Sequence, residues 1–370
     1  MHIIANREAI LAATAPLLAI AQRGLKTNQN IITVQALKDG RLNLSCCDDN
    51  ATMASRAEAA VQQTGTFAVA AKRLHEIVRS FQPGAALDLQ SAGQQLAITQ
   101  GRSRYRVNVV PAPEQTTRAG DVRDDASGEF TFDSGEFAYL LAVAQHGMNE
   151  PISSKIPNGI LLHLTGERLR LIGTNGGRMA VASAAIRSNE PCKLLLGPNT
   201  IADLKAMLTK AAPGEQMTFR WGQGMLQVSC GCTEYRAGIP ATSFVDYEAV
   251  MKRSAINPFH VGLEDLRGMV ARMLIVSERL TVRLQGRTLS VATEIGEGKK
   301  KGEECTESVE LPPDALQVDD FQVSVSGKYL MEAFNAVRGE PVHLSYAPGA
   351  PLTILAANGD ARVYVMPIRA

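Results

Sequence analysis

The chain is 370 residues long, 45% hydrophobic and 20% charged, with no low-complexity block, which excludes a disordered chain and leaves room for two or three hydrophobic cores. A net charge of +1 excludes capture of nucleic acid by bulk charge, so any basic surface is local. The cysteines (Cys46, Cys47, Cys192, Cys230, Cys232, Cys305) form neither CxxC pairs nor a Cys/His cluster. No metal or other cofactor is therefore expected, and the thiols read as reduced in a cytoplasmic protein.

From the N-terminus, Met1 to Ile4 reads as a strand and Arg7 to Gly24 as a helix ended by glycine. Pro16 inside it lacks an N–H and should kink or interrupt it. The apolar run AILAATAPLLAIA is not read as a signal peptide, because Arg7 and Glu8 stand directly before it. No run reaches the roughly 18 apolar residues of a membrane span, so no membrane partner is expected. From Ile31, IITVQALKDGRLNLSCCDDNATMASRAEA alternates apolar and polar residues between Gly and Asn turns, the pattern of antiparallel strands with one buried face. A short strand follows, then a helix over 71–81 with Leu74, Ile77, Val78 and Phe81 on one stripe, stopped by Pro83-Gly84. ALDLQSAGQQLAITQ and GRSRYRVNVVPA are strands, and the polar segment 113–128 reads as a linker.

The order then restarts. GEFTFDSGEFAYLLAVAQHGM is strand then helix with Asp133 or Ser134 as N-cap. From Gly159, GILLHLTGERLRLIGTNGGRMAVASAAI repeats the strand pattern. CKLLLGPNTIADLKAMLTKAAPG is strand then helix with Asn199 or Thr200 as N-cap, and two closing strands follow. TSFVDYEAVMKRSAIN, 242–257, reads as a second linker. The third round runs from Pro258, with its strand set starting at Leu280 and its second helix in KYLMEAFNAV. The three strand sets lie about 120–130 residues apart, a typical domain length. The chain is therefore read as three versions of one domain, at 1–120, 128–248 and 254–370. The expected class is α+β, with helices packed on one side of antiparallel sheet.

Four stretches carry a family resemblance: GRSRYRVNVVPA at Gly101, TNGGRMAVAS at Thr174, SFVDYEAVM at Ser243 and the terminal VYVMPIRA. With them the chain resembles, over essentially its whole length, the bacterial DNA polymerase III beta subunit, the sliding clamp. The resemblance implies a non-enzymatic homodimer of two three-domain chains joined head to tail, helices lining a ring and antiparallel sheets outside. It implies double-stranded DNA through the hole. It also implies the DNA polymerase catalytic subunit, the clamp loader and other proteins with clamp-binding motifs as partners, held in a cleft between the second and third domains.

A ring linked to DNA by topology needs only modest basic residues on its lining. Arg23, Lys26, Lys72, Arg73, Arg79, Lys205, Lys210, Arg272 and Lys328 lie on the helices or their ends; Arg23, Lys72 and Lys205 fall where the family places DNA-facing cations. For the seam between copies, Arg102 and Arg104 give a basic strand edge, and Glu303, Glu304 and Glu307 an acidic one. Tyr105, Ile275 and Val276 fall at family interface positions. The cleft positions implied by the resemblance are Thr174, Gly176, Arg178, Met179, Val245, Val250, Val365, Met366, Pro367, Ile368 and Arg369. Met suits varied ligands, and Pro367 cannot continue a sheet ladder, so the chain should peel away there.

Departures from the family pattern are Asn175 and Gly177 in place of Asp and His, Val245 in place of Pro, Pro157 in place of Leu, and Glu150, Pro151 and Ser154 in a loop that carries DNA-contacting residues in the family. They keep a diverged accessory clamp, or a clamp-like protein that sequesters partners, as the alternative. An enzyme is disfavoured: the six histidines are scattered, and GEGKKKG at Gly296 matches neither phosphate-loop pattern.

Overall fold

The protein is seen here as a computed structural model that describes residues 1–23, 30–110, 112, 126–148, 156–188, 190–254, 258–293, 305–312 and 319–368. Outside those residues lie Lys26, the Glu150, Pro151 and Ser154 positions, Glu303, Glu304, Arg369, the GEGKKKG loop and nearly all of the first linker.

The first third of the chain runs β1 (His2–Asn6), α1 (Arg7–Thr14), α2 (Leu18–Ala21), β2 (Ile31–Ala36), β3 (Arg41–Cys47), β4 (Ala51–Glu58), β5 (Ala60–Gln63), β6 (Gly65–Ala70), α3 (Ala71–Ser80), β7 (Ala86–Ala92), β8 (Gln95–Gln100) and β9 (Ser103–Asn108). The middle third runs β10 (Gly128–Asp133), α4 (Ser134–Met148), β11 (Ile160–Leu164), β12 (Arg168–Thr174), β13 (Arg178–Ala185), β14 (Cys192–Leu196), α5 (Pro198–Leu208), β15 (Gln216–Gly222), β16 (Met225–Cys230) and β17 (Thr233–Gly238). The last third runs α6 (Tyr247–Arg253), β18 (Phe259–Val261), α7 (Leu263–Met273), β19 (Arg279–Gln285), β20 (Thr288–Thr293), β21 (Thr306–Glu310), β22 (Phe321–Ser326), α8 (Gly327–Ala336), β23 (Val342–Ser345), β24 (Leu352–Leu355) and β25 (Ala361–Val365).

Three elements differ from the sequence reading. The single helix expected over 7–24 is broken into α1 and α2 around Pro16, which has no N–H to donate into the preceding turn. The segment read as a second linker contains α6, capped by Asp246, whose side chain accepts from the Ala249 N–H at 3.1 Å. α5 begins at Pro198 instead of after Asn199, proline being well placed where a helix N–H has no partner anyway. Of the other two cap candidates it is Asp133 that serves, accepting from the Glu136 N–H at 2.9 Å.

The chain forms two compact units. One comprises Met1–Ala138 and Pro198–Pro240. It holds a five-stranded sheet, β5-β1-β7-β8-β9, and an eight-stranded sheet, β10-β15-β16-β17-β4-β3-β2-β6. The other comprises Tyr139–Gly197 and Ala241–Ala370. It holds an eight-stranded sheet, β14-β11-β12-β13-β25-β24-β23-β18, and a four-stranded sheet, β21-β20-β19-β22. Each eight-stranded sheet joins four strands of the middle third to four of an outer third. The joints are β17 on β4, with Thr233 opposite Ser55, and β13 on β25, with Arg178 opposite Val365. Alternate residues of β4 and β17 are buried, as period-2 patterning requires, whereas β13 and β25 are buried on both faces where they meet. In the first unit α1 and α2 pack on α3, and α2 on α5; in the second α7 packs on α8. Among the described residues no helix is long and apolar enough to cross a membrane.

Candidate functional site

The turn between β12 and β13 is fixed by its own side chains. The Asn175 side-chain oxygen accepts from the Gly177 and Arg178 N–H groups, both at 3.0 Å. The Thr174 hydroxyl donates to the Arg178 carbonyl at 2.7 Å and accepts from the Gly176 N–H at 3.2 Å. Gly176 has φ +93°, a conformation glycine adopts without steric cost. Behind the turn the backbones of Gly147 and Gly173 approach so closely that a Cβ on Gly173 would lie 2.0 Å from the Ala144 carbonyl oxygen. The two glycines thereby seat the end of α4 directly on β12.

The C-terminal tail crosses this turn. The Met366 N–H donates to the Gly177 carbonyl at 3.0 Å, and the Ile368 N–H to the Ser324 carbonyl on β22 at 2.8 Å. Pro367, between them, donates nothing, and β25 ends at Val365 as its position implied. Met366, Pro367 and Ile368 are left half-buried.

On one face of the sheet Leu161, Ile172, Met179, Val181, Tyr247 and Tyr364 form a buried apolar cluster, with Phe244, Val250 and Met251 packed half-exposed against it. Of the residues named from sequence, Met179 and Val250 meet here, and Val245 sits half-buried beside Tyr247, whose N–H donates to its carbonyl at 2.8 Å. Phe244, Tyr247, Met251, Leu161 and Tyr364 were not singled out. The helical i, i+3, i+4 spacing of Tyr247, Val250 and Met251 was the available signal.

Alternation sends two named residues elsewhere. Arg178 and Val365 are cross-strand partners, one residue out of phase with Met179 and Tyr364, so they face α8 instead of the cluster. Arg178 is buried there, its guanidinium 4.4 Å above the Tyr329 ring and hydrogen-bonded to Glu332. Burial and the nearby Arg178 charge hold the pKa of His146 below the usual imidazole value. Arg178 therefore supports the turn from behind and offers no free charge at the cluster.

The named cations also differ in availability. The Arg23 guanidinium forks onto Asp203, at 2.6 and 2.8 Å, and reaches Asp48 at 3.1 Å; the Asp203 side chain is fully buried. Burial opposes the charge on Arg23, but the hydrogen bonds and charge of Asp203, with those of Asp48, outweigh it and raise the guanidinium pKa. Lys72 is 74% exposed, with Glu76 one helical turn away at 3.9 Å. Arg73, Arg79, Lys205, Lys210 and Lys328 are exposed. The pKa of His75 is lowered by burial and then by the charges of Arg79 on α3 and Lys210 beyond α5. Arg272 is committed to Glu307 through two bonds of 2.5 Å.

The outer sheets end on strands of opposite charge. β9 is an edge carrying exposed Arg104 and Arg106, with exposed Arg102 just before it. Tyr105 on β9 is 41% exposed and meets Phe81 edge-on at 5.3 Å. β21 is an edge carrying Glu307 and Glu310. Ile275 and Val276, after α7, are 84% and 36% exposed.

Residues 1–117 match the family model described as DNA polymerase III beta subunit, N-terminal domain. The solved DNA polymerase III subunit beta of Pseudomonas aeruginosa superposes with a TM-score of 0.87 over 100% of both chains, at 21% identity. The chain has the beta sliding clamp fold. A Caulobacter crescentus beta sliding clamp gives a TM-score of 0.87 at 20% identity, covering 100% of this chain and 99% of that one. In sequence the chain is 24% identical to the Beta sliding clamp of Escherichia coli over 336 residues, 90% of this chain and 89% of that protein. It is 24% identical to that of Pseudomonas aeruginosa over 379 residues, 100% of both. The expected α+β clamp architecture and the resemblance to the beta subunit family both hold along the chain. Among the described residues β9 and β21 each end a sheet, and Phe244, Val250 and Met251 lie half-exposed over the buried cluster beside α6.

Proposed function

We propose that this chain is a DNA polymerase processivity factor. Two copies close into a ring around double-stranded DNA, slide along it, and hold the DNA polymerase catalytic subunit, a clamp loader and other motif-bearing proteins at the cleft beside α6. The chain acts by encirclement and tethering, in the cytoplasm, and no catalytic step is assigned to it. The three modules at 1–120, 128–248 and 254–370 are part of this reading.

One observation carries it. β17 and β25 are the last strands of the second and third modules, and each pairs with the third strand of the preceding strand set, β4 and β13. β9 is the corresponding last strand of the first module and β21 the corresponding strand of the third, and both are open edges. A second copy, presenting its β21 to β9, completes the series. The register of the two internal joints, carried to this seam, sets Ser103 against the partner's Glu307 and Tyr105 against the partner's Cys305. Opposite charges on the two edges favour this pairing and disfavour either strand pairing with itself. Tyr105 on one side and Ile275 with Val276 on the other supply the apolar anchors an interface needs.

Lys72, Arg73 and Lys205 are the proposed DNA-facing cations, with Arg23 tied to Asp203 and Asp48. Thr174, Gly176, Met179, Val245, Val250, Met366, Pro367 and Ile368 form the proposed cleft, with Arg178 and Val365 supporting it from behind. The experiment is retention on DNA: with a clamp loader and ATP, the protein stays on nicked circular DNA and runs off once the circle is linearised. Equal retention on both forms would overturn encirclement.

A further inference from the structure

The cleft wall hangs on one tyrosine. Tyr247 opens α6 and is buried, and its hydroxyl is the meeting point of three side chains. His163 Nδ1 lies 2.5 Å from it, the Arg170 guanidinium donates to it at 3.3 Å, and Glu248 Oε1 stands 3.2 Å away as an alternative acceptor for its hydrogen. The two rings meet edge to face, centroids 5.9 Å apart. His163 sits in mid-β11, with Arg170 of β12 and Lys193 of β14 as its cross-strand neighbours. Among the described residues those two cations, with Tyr247 and Glu248 of α6, are the titratable and charged groups that act on it. Phe244, Val250 and Met251, which flank Tyr247 in the chain, ride on the same cluster.

A tyrosine hydroxyl has one hydrogen to give. With His163 neutral, Nδ1 accepts that hydrogen while Arg170 donates to the oxygen, and the three groups are satisfied together. With His163 protonated, Nδ1 becomes a donor and can no longer accept the tyrosine hydrogen. The tyrosine hydrogen must then turn to Glu248, and a third positive charge stands beside Arg170 and Lys193 with one carboxylate opposing it.

We propose that neutral His163 is a positioning residue for the partner cleft: it holds Tyr247, and through it the α6 wall, against the sheet, and protonation loosens that wall. The inference rests on the cleft reading and adds to it a dependence on pH. Burial, then the charges of Lys193 and Arg170, already keep the imidazole pKa below its ordinary value. The tether is therefore present at neutral pH and is lost on the acid side of the ordinary histidine range.

The test measures amide-exchange protection of residues 247–253 in the full-length protein, corrected for intrinsic rates, from about pH 7.5 to about pH 5. In parallel it measures binding of a fluorescein-labelled hexapeptide of leucine, phenylalanine and serine. The expected result is a loss of about tenfold in both protection and affinity across that range, the scale of one hydrogen bond. The loss should be absent in His163→Gln, which cannot ionise. Tyr247→Phe should be weakly protected at every pH. A wild-type protein with flat protection, or a His163→Gln protein that keeps the acid-side loss, overturns the proposal. Protection that titrates through His163 while the peptide binds at no pH upholds the tether and overturns the cleft reading.

Discussion

Arg23 is at the position where clamp relatives lead one to expect a DNA contact, yet it is bound to Asp203 and Asp48 inside its own unit. Replacing it by methionine leaves the fully buried Asp203 carboxylate without its counter-charge. Breaking one partner of a buried pair costs about 3–5 kcal/mol. The Arg23 side chain is 22% exposed, so water offsets part of this and the lower end, about 3 kcal/mol, is expected. In a unit of this size each kcal/mol moves the melting temperature by about 2–4 °C, so Arg23→Met should melt roughly 10 °C lower. Replacing both partners, as Arg23→Met with Asp203→Leu, should recover much of the loss, because the fully buried charge is gone and only the partly exposed Asp48 loses a bond. Differential scanning calorimetry on the four proteins of the cycle gives the coupling directly. If Arg23→Met melts within about 2 °C of wild type while losing retention on circular DNA, the lock is incorrect and Arg23 serves the DNA.

Three further outcomes are expected. Tyr105→Cys, oxidised, should form a disulfide with the partner's native Cys305 and run near twice 39.7 kDa without reductant; no cross-linked species would refute the seam register. Lys72→Glu with Lys205→Glu should weaken loaded DNA association and lower the slope of log affinity against log salt by about two or more; an unchanged slope would remove these lysines from the DNA surface. Ending the chain before Met366 should abolish peptide capture and leave the dimer mass unchanged, as followed by light scattering and fluorescence anisotropy; full binding by the shortened chain would relocate the cleft.

The strand sets were legible because their punctuation is local. Gly40, Gly166 and Gly286 each stand in the turn before the second strand of a set, and alternation around them fixes the buried face. The Pro16 break was legible for the same reason, since a missing N–H acts within its own turn. α6 was missed because seven residues give too short a period to separate from a linker, although Asp246 and the Tyr247, Val250, Met251 spacing were present. The orientation of Arg178 was not read because a resemblance carries residue positions and not the strand phase that turns one neighbour to the cluster and the next to α8. The bond from Arg23 to Asp203 joins residues 180 apart in the chain, and no local pattern predicts that meeting. The tie between His163 and Tyr247 is hidden in the same way.

Two-dimensional class averages of the purified protein in electron micrographs test the central claim most directly. The account predicts a closed ring of two copies, six modules around, with an opening wide enough for duplex DNA. Compact particles with no passage through them would contradict it.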